Sequence, residues 1–61
     1  MNIKGKHLEL CRFIKANRGI NTQKAVDAGF EASMIESLRR KGIIPHPVDN
    51  LYITTETEER I

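Results

Sequence analysis

The chain has 61 residues, enough for one small domain and too few for a second or for an enzyme with its own substrate cleft. Hydrophobic residues make up 39% and charged residues 30%, which excludes the low-hydrophobicity, high-charge composition of disordered chains. The formal charge is +2, but residues 1–55 carry nine positive and five negative charges while residues 56–61 carry one and three, a basic body with an acidic end that favours an anionic partner.

Residues 7–18 place Leu10, Cys11 and Ile14 at helical spacing, with Glu9, Arg12 and Lys15 on the other side, and predict a first helix. Gly19 is expected to end it in a left-handed position directly after Arg18. Thr22 is the expected N-cap of a short second helix over Gln23-Lys24-Ala25-Val26-Asp27-Ala28, stopped by Gly29. Phe30 should then turn into the core, and Glu31-Ala32 opens a third helix. On that helix Met34, Ile35 and Leu38 fall on one side, while Ser33, Glu36, Ser37 and Arg40 line the other. Gly42 closes it, so three of the four glycines act as helix stops.

Ile43-Ile44 and Leu51-Tyr52-Ile53-Thr54 are rich in strand formers and flank the turn-forming stretch Pro45-His46-Pro47-Val48-Asp49-Asn50, which predicts a small hairpin. Its first strand is short or at an edge, because proline cannot donate to a ladder. Residues 55–60 are expected to fray, or to form at most a short helical turn. The expected fold class is mainly α with a small β-hairpin. A single domain spans residues 1–61, with its core over about 7–54, a basic arm at 1–6 and an acidic tail at 55–61.

Cys11 is the one cysteine, so no disulfide forms within the chain, and a reducing cytoplasm is the expected setting. No apolar run approaches the roughly 20 residues that span a bilayer. The basic Met1–Lys6 segment is followed by Glu9 and Arg12 instead of a signal-peptide apolar stretch, so neither membrane association nor export is expected. His7 and Cys11 stand four apart, with His46 as a third conceivable metal ligand, but a fourth is missing. A buried thiol and a surface imidazole are the simpler reading, and no metal or cofactor is expected. A catalytic Cys–His pair would lack an orienting third group.

The order helix, turn, short helix, glycine turn, helix, glycine, hairpin resembles the winged helix-turn-helix family over about residues 7–54. The carrying residues are Gly19-Ile20-Asn21-Thr22, Ala25-Val26, Gly29-Phe30, Ile35 and Leu38-Arg39-Arg40-Lys41-Gly42-Ile43-Ile44. The last run, a leucine four residues before a closing glycine and two aliphatics, is the most specific. Independently of the family, Ala25 is small enough to let the second and third helices approach, and Ile35 with Leu38 anchors the third helix while its far side projects.

The resemblance implies a three-helix winged helix-turn-helix protein that binds double-stranded DNA and regulates transcription, and the brevity of the chain suggests a phage or another mobile element. Ser33, Glu36, Ser37 and Arg40 are the candidates for base reading, with Arg40 suited to guanine and Glu36 to the cytosine amino group. Lys4, Lys6, Lys24, Arg39 and Lys41 are the phosphate candidates. For Lys24, outward-pointing backbone amides near the start of the second helix add to the case. The same charges also suit an ordinary solvated surface. The wing tip has no Lys or Arg and carries Asp49, which argues against a minor-groove contact there. A single recognition helix reads few base pairs, so a homodimer or a second DNA-binding protein is expected alongside. The alternative is a winged-helix module that docks on another protein, to which the uncharged wing, Glu36 and the acidic tail are equally suited. Phe13 either packs beneath the hairpin or joins Tyr52 and Ile53 in an exposed apolar patch.

Overall fold

The computed structural model describes residues 3–45 and 50–61. Among the described residues, four helices and one two-stranded sheet follow in the order α1 (Lys6–Ala16), β1 (Ile20–Asn21), α2 (Thr22–Asp27), α3 (Ala32–Arg40), β2 (Asn50–Leu51) and α4 (Thr55–Arg60). The mainly helical class with a small antiparallel sheet is as expected from the sequence. No helix among the described residues is long and apolar enough to cross a membrane.

The first helix buries Leu10, Cys11 and Ile14, the stripe that its spacing predicts. It ends at Ala16 instead of Arg18, where the Asn17 side-chain amide donates to the Phe13 carbonyl at 2.9 Å. The chain then turns through an Ile20 N–H to Asn17 carbonyl bond of 3.0 Å. Lys6, expected in a basic arm, is instead the first residue of α1, and its ammonium lies 5.3 Å from the centroid of the Phe30 ring. Phe30 is half-buried and stacks at a tilt on Phe13, with centroids 5.2 Å apart. Phe13 is thus half-buried against the core, with an aromatic partner in the loop between α2 and α3, and is not part of an exposed patch with Tyr52 and Ile53.

Helices α2 and α3 end in the same way. After α2, Gly29 donates to the Val26 carbonyl at 3.0 Å and Phe30 to the Ala25 carbonyl at 3.2 Å. After α3, Gly42 donates to Arg39 at 3.0 Å and Ile43 to Leu38 at 2.9 Å. These are the paired bonds of a left-handed C-terminal cap, which satisfy carbonyls that would otherwise be orphaned. The conformation needs positive φ, and Gly29 and Gly42 adopt 105° and 78°. The cap also brings Ile43 back beside Leu38, both buried, to fix the exit of the chain from α3.

The cap of α2 lies one residue before the expected Thr22. Asn21, not Thr22, supplies the side-chain oxygen, which accepts from the Lys24 N–H at 2.8 Å. Asn21 has a second task. It pairs with Asn50, and Ile20 with Leu51, in the antiparallel sheet. The expected hairpin is thus replaced as a ladder: the segment after α1, not Ile43-Ile44, is the partner of the final strand. Between Ile43-Ile44 and the 51–54 segment there remains a single backbone bond among the described residues, Thr54 N–H to Ile43 carbonyl at 3.1 Å. Pro45 has no N–H to extend it.

The tail, expected to fray or to form at most a short helical turn, is the six-residue helix α4. The Thr54 hydroxyl accepts from the Thr57 N–H at 3.3 Å and shares a 2.8 Å hydrogen bond with the Thr57 hydroxyl, a side-chain cap that starts the helix. Glu56 and Glu58 lie in its first turn, where acids suit the dipole. Thr57 is fully buried with its hydroxyl satisfied. Polar contacts tie it to α1 and the turn that follows: Lys15 donates to the Glu58 carbonyl at 3.0 Å, and the Arg18 guanidinium lies 3.6 Å from the Glu58 carboxylate.

The core gathers Leu10, Cys11 and Ile14 from α1, Ala25 from α2, Ile35 and Leu38 from α3, and Ile43, Ile44, Leu51 and Ile53 from the later segments. Cys11 is fully buried, and desolvation pushes its thiol pKa up. An aromatic disulfide reagent is therefore expected to modify Cys11 at least about tenfold more slowly in native protein than in denaturant. Equal rates under the two conditions would contradict this core.

Candidate nucleic-acid interface

The site is built by what α3 buries. Ile35 and Leu38 are 1% exposed, and Met34 is half-buried against the same core. With these anchored, the opposite side must face outward: Ser33, Glu36 and Arg40 are exposed, and Ser37 is half-buried. From Ser33 to Arg40 the face runs about 10 Å, at 1.5 Å rise per residue, or roughly three base steps of 3.4 Å. The face is therefore long enough to meet a short run of base edges, and no longer.

Its polar groups differ in availability. The Ser33 hydroxyl donates over a long 3.4 Å to the carboxylate of Glu31, the residue that precedes α3. Glu31, expected only to open the helix, also borders the face. The signal for this was its position two residues before Ser33, in a turn where side chains double back. Among the described residues neither Glu36 nor Arg40 takes part in an ion pair or a side-chain hydrogen bond.

Cations gather at the C-terminal end of α3, where they also suit the helix dipole. Arg40 and Lys41 are exposed and Arg39 is half-buried. Lys24 is exposed on α2, but its backbone N–H is taken by the Asn21 side chain. The outward amides expected to support it are thus reduced by one. Lys4 and Lys6 are exposed, and Lys6 faces the Phe30 ring, a contact worth about 0.5–1 kcal/mol at an exposed site.

His46, Pro47, Val48 and Asp49 of the expected wing tip lie outside the described residues. Asn50, placed with them by the sequence reading, belongs to β2, and its side-chain amide donates to the Gly19 carbonyl at 2.9 Å. It ties the final strand to the turn after α1. Tyr52 follows at 40% exposure beside Gly19, while Ile53 is 6% exposed and part of the core. The two do not form a shared exposed patch. Of the three residues considered for a metal, Cys11 is buried, His7 is half-buried and His46 lies outside the described residues. No group of three or more His, Cys, Asp or Glu side chains is positioned to hold a metal ion among the described residues.

Comparison with protein-family models, with curated proteins and with solved structures finds no match to this chain.

Proposed function

We propose that this chain is a small DNA-binding protein of winged helix-turn-helix build, a transcriptional regulator that lays the outer face of α3 in the major groove of double-stranded DNA. One observation carries the reading. The side of α3 opposite its buried anchors Ile35 and Leu38 is left to Ser33, Glu36, Ser37 and Arg40, with the exposed Lys41 at its end. In this arrangement Arg40 is the strongest base reader, because a guanidinium meets guanine O6 and N7 with two parallel hydrogen bonds. In this reading Lys24, Lys41 and Lys4, all exposed, hold phosphates. A face that covers about three base steps gives modest selectivity alone. A second copy on a two-fold site, or a neighbouring DNA-binding protein, completes it.

The test is a fluorescence-anisotropy titration with random-sequence duplex at two salt concentrations, with the mass in solution measured alongside. Three phosphate contacts predict micromolar binding that weakens by roughly 40-fold between 50 and 200 mM salt. A folded protein that binds no duplex at low salt would reject this reading in favour of a protein-docking module. Glu31 and Glu36 at the same face favour that competitor.

A further inference from the structure

The outer face of α3 contains one acid among its outward positions, and that acid stands one helical turn before Arg40. A glutamate four residues N-terminal to a cation is the favourable order for a helix-surface ion pair. The same spacing is used elsewhere in this chain: Gln23 donates to Asp27 at 2.9 Å, and Arg60 meets Glu56 at 3.1 Å. Glu36 and Arg40 have that spacing, are both exposed and are not paired with each other. Each presents its charge outward.

A carboxylate directed at a duplex is repelled by phosphates unless it meets a hydrogen-bond donor. The major groove offers two amino donors, cytosine N4 and adenine N6. They are not equivalent to a carboxylate. Adenine N6 sits beside the N7 acceptor, whose lone pair opposes the second carboxylate oxygen, whereas the neighbour of cytosine N4 is a carbon-bound hydrogen. Four residues of helix rise about 6 Å, less than two base steps of 3.4 Å, so the bases met by Glu36 and Arg40 are close neighbours.

We propose that Glu36 is a specificity-determining residue that demands a cytosine within two base steps of the guanine held by Arg40. The inference rests on the DNA-binding reading above. Glu36 acts in both directions: it accepts from the correct base, and it penalises every duplex that lacks a donor at that place. The attraction of Lys24, Arg40 and Lys41 for phosphate is thereby restrained on non-cognate sequence.

The experiment is site selection from a randomised duplex library, run in parallel on the full chain, Glu36→Gln, Glu36→Ala and Arg40→Ala, with affinity for random duplex measured for each. The unmodified chain is expected to enrich cytosine at one position. Glu36→Gln should replace it with adenine, which glutamine meets at N6 and N7, by roughly tenfold or more, and should raise random-duplex affinity. Glu36→Ala should leave the position degenerate, and Arg40→Ala should lose the neighbouring guanine while keeping the cytosine. Glu36 is exposed, so each variant should melt with the parent by circular dichroism. A selected site with no cytosine requirement overturns the proposal. So does a Glu36→Gln protein whose affinity rises evenly while its base preferences stay fixed, because Glu36 then only repels phosphates. If the folded parent chain enriches no duplex at all, the DNA-binding reading itself fails, an outcome told apart by the absence of any selected site.

Discussion

Leu38→Ala is expected to destabilise the domain by about 2–5 kcal/mol, the range for truncating a buried leucine. The side chain is 1% exposed and lies where α3 meets the Ile43-Ile44 segment. Its carbonyl accepts from Ile43 at 2.9 Å and from Ile44 at 3.3 Å. The substitution leaves those backbone bonds chemically intact and removes only the apolar contact beneath them, so the loss reports packing. At roughly 0.05–0.15 kcal/mol per residue, a chain of this length has on the order of 3–9 kcal/mol in total. The variant should therefore be largely unfolded at 37 °C or melt more than about 10 °C lower. Leu38→Met, which nearly conserves volume, should cost less than about 1.5 kcal/mol. Thermal melts by circular dichroism decide: a Leu38→Ala protein that melts cooperatively at the parent temperature would remove Leu38 from the core and leave the face of α3 without its anchor.

The elements of this fold differ in how far they can be read from the sequence, and the first reason is length. The 3.6-residue period needs several turns to declare itself, and α1 and α3 supply them, so Leu10, Cys11, Ile14, Ile35 and Leu38 are all legible as buried. Gly29 and Gly42 add two further local signals, since each cap is made within six residues. The strands hold two residues each and have no period to find. Which segment joins Leu51 is decided by how the chain folds across the 30 residues between Ile20 and Leu51, not by either strand. Asn21 illustrates the difficulty: cap and strand residue at once, it looks like a turn residue from its neighbours alone. Helix α4 was hidden for another reason. Its buried residue is a threonine, and the burial is stabilised by the Thr54–Thr57 hydroxyl pair and by Glu58 contacts to Lys15 and Arg18. The available signal was a threonine cap followed by acids in the first turn. At the candidate interface the same division holds. The outward face of α3 was legible from periodicity, whereas the hold of Asn50 on Gly19 and of Phe30 on Lys6 joins distant segments that no local pattern connects.

Arg40→Ala and Lys41→Ala are adjacent substitutions of exposed cations, and the proposed interface requires them to behave differently. Position sets the difference: Arg40 continues the line of Ser33, Glu36 and Ser37, while Lys41 is the C-cap residue, turned about 100° further around the axis. Arg40→Ala should cost about 1–3 kcal/mol against the preferred site and relax preference at one base pair. Lys41→Ala should weaken all duplexes alike and reduce the magnitude of the salt slope by about 1. Arg40→Lys sharpens the distinction, because it keeps the charge and loses the planar two-pronged donor. It should restore random-duplex affinity without restoring the guanine preference. If Arg40→Ala instead weakens every sequence evenly, Arg40 is a phosphate contact, and the base-reading part of the face shortens to Ser33, Glu36 and Ser37. If neither substitution changes binding, the duplex lies elsewhere on the molecule. The exposed face of α3 would then be left for a protein partner, whose recognition Glu36 and Arg40, two unpaired opposite charges one turn apart, would serve as complementary contacts.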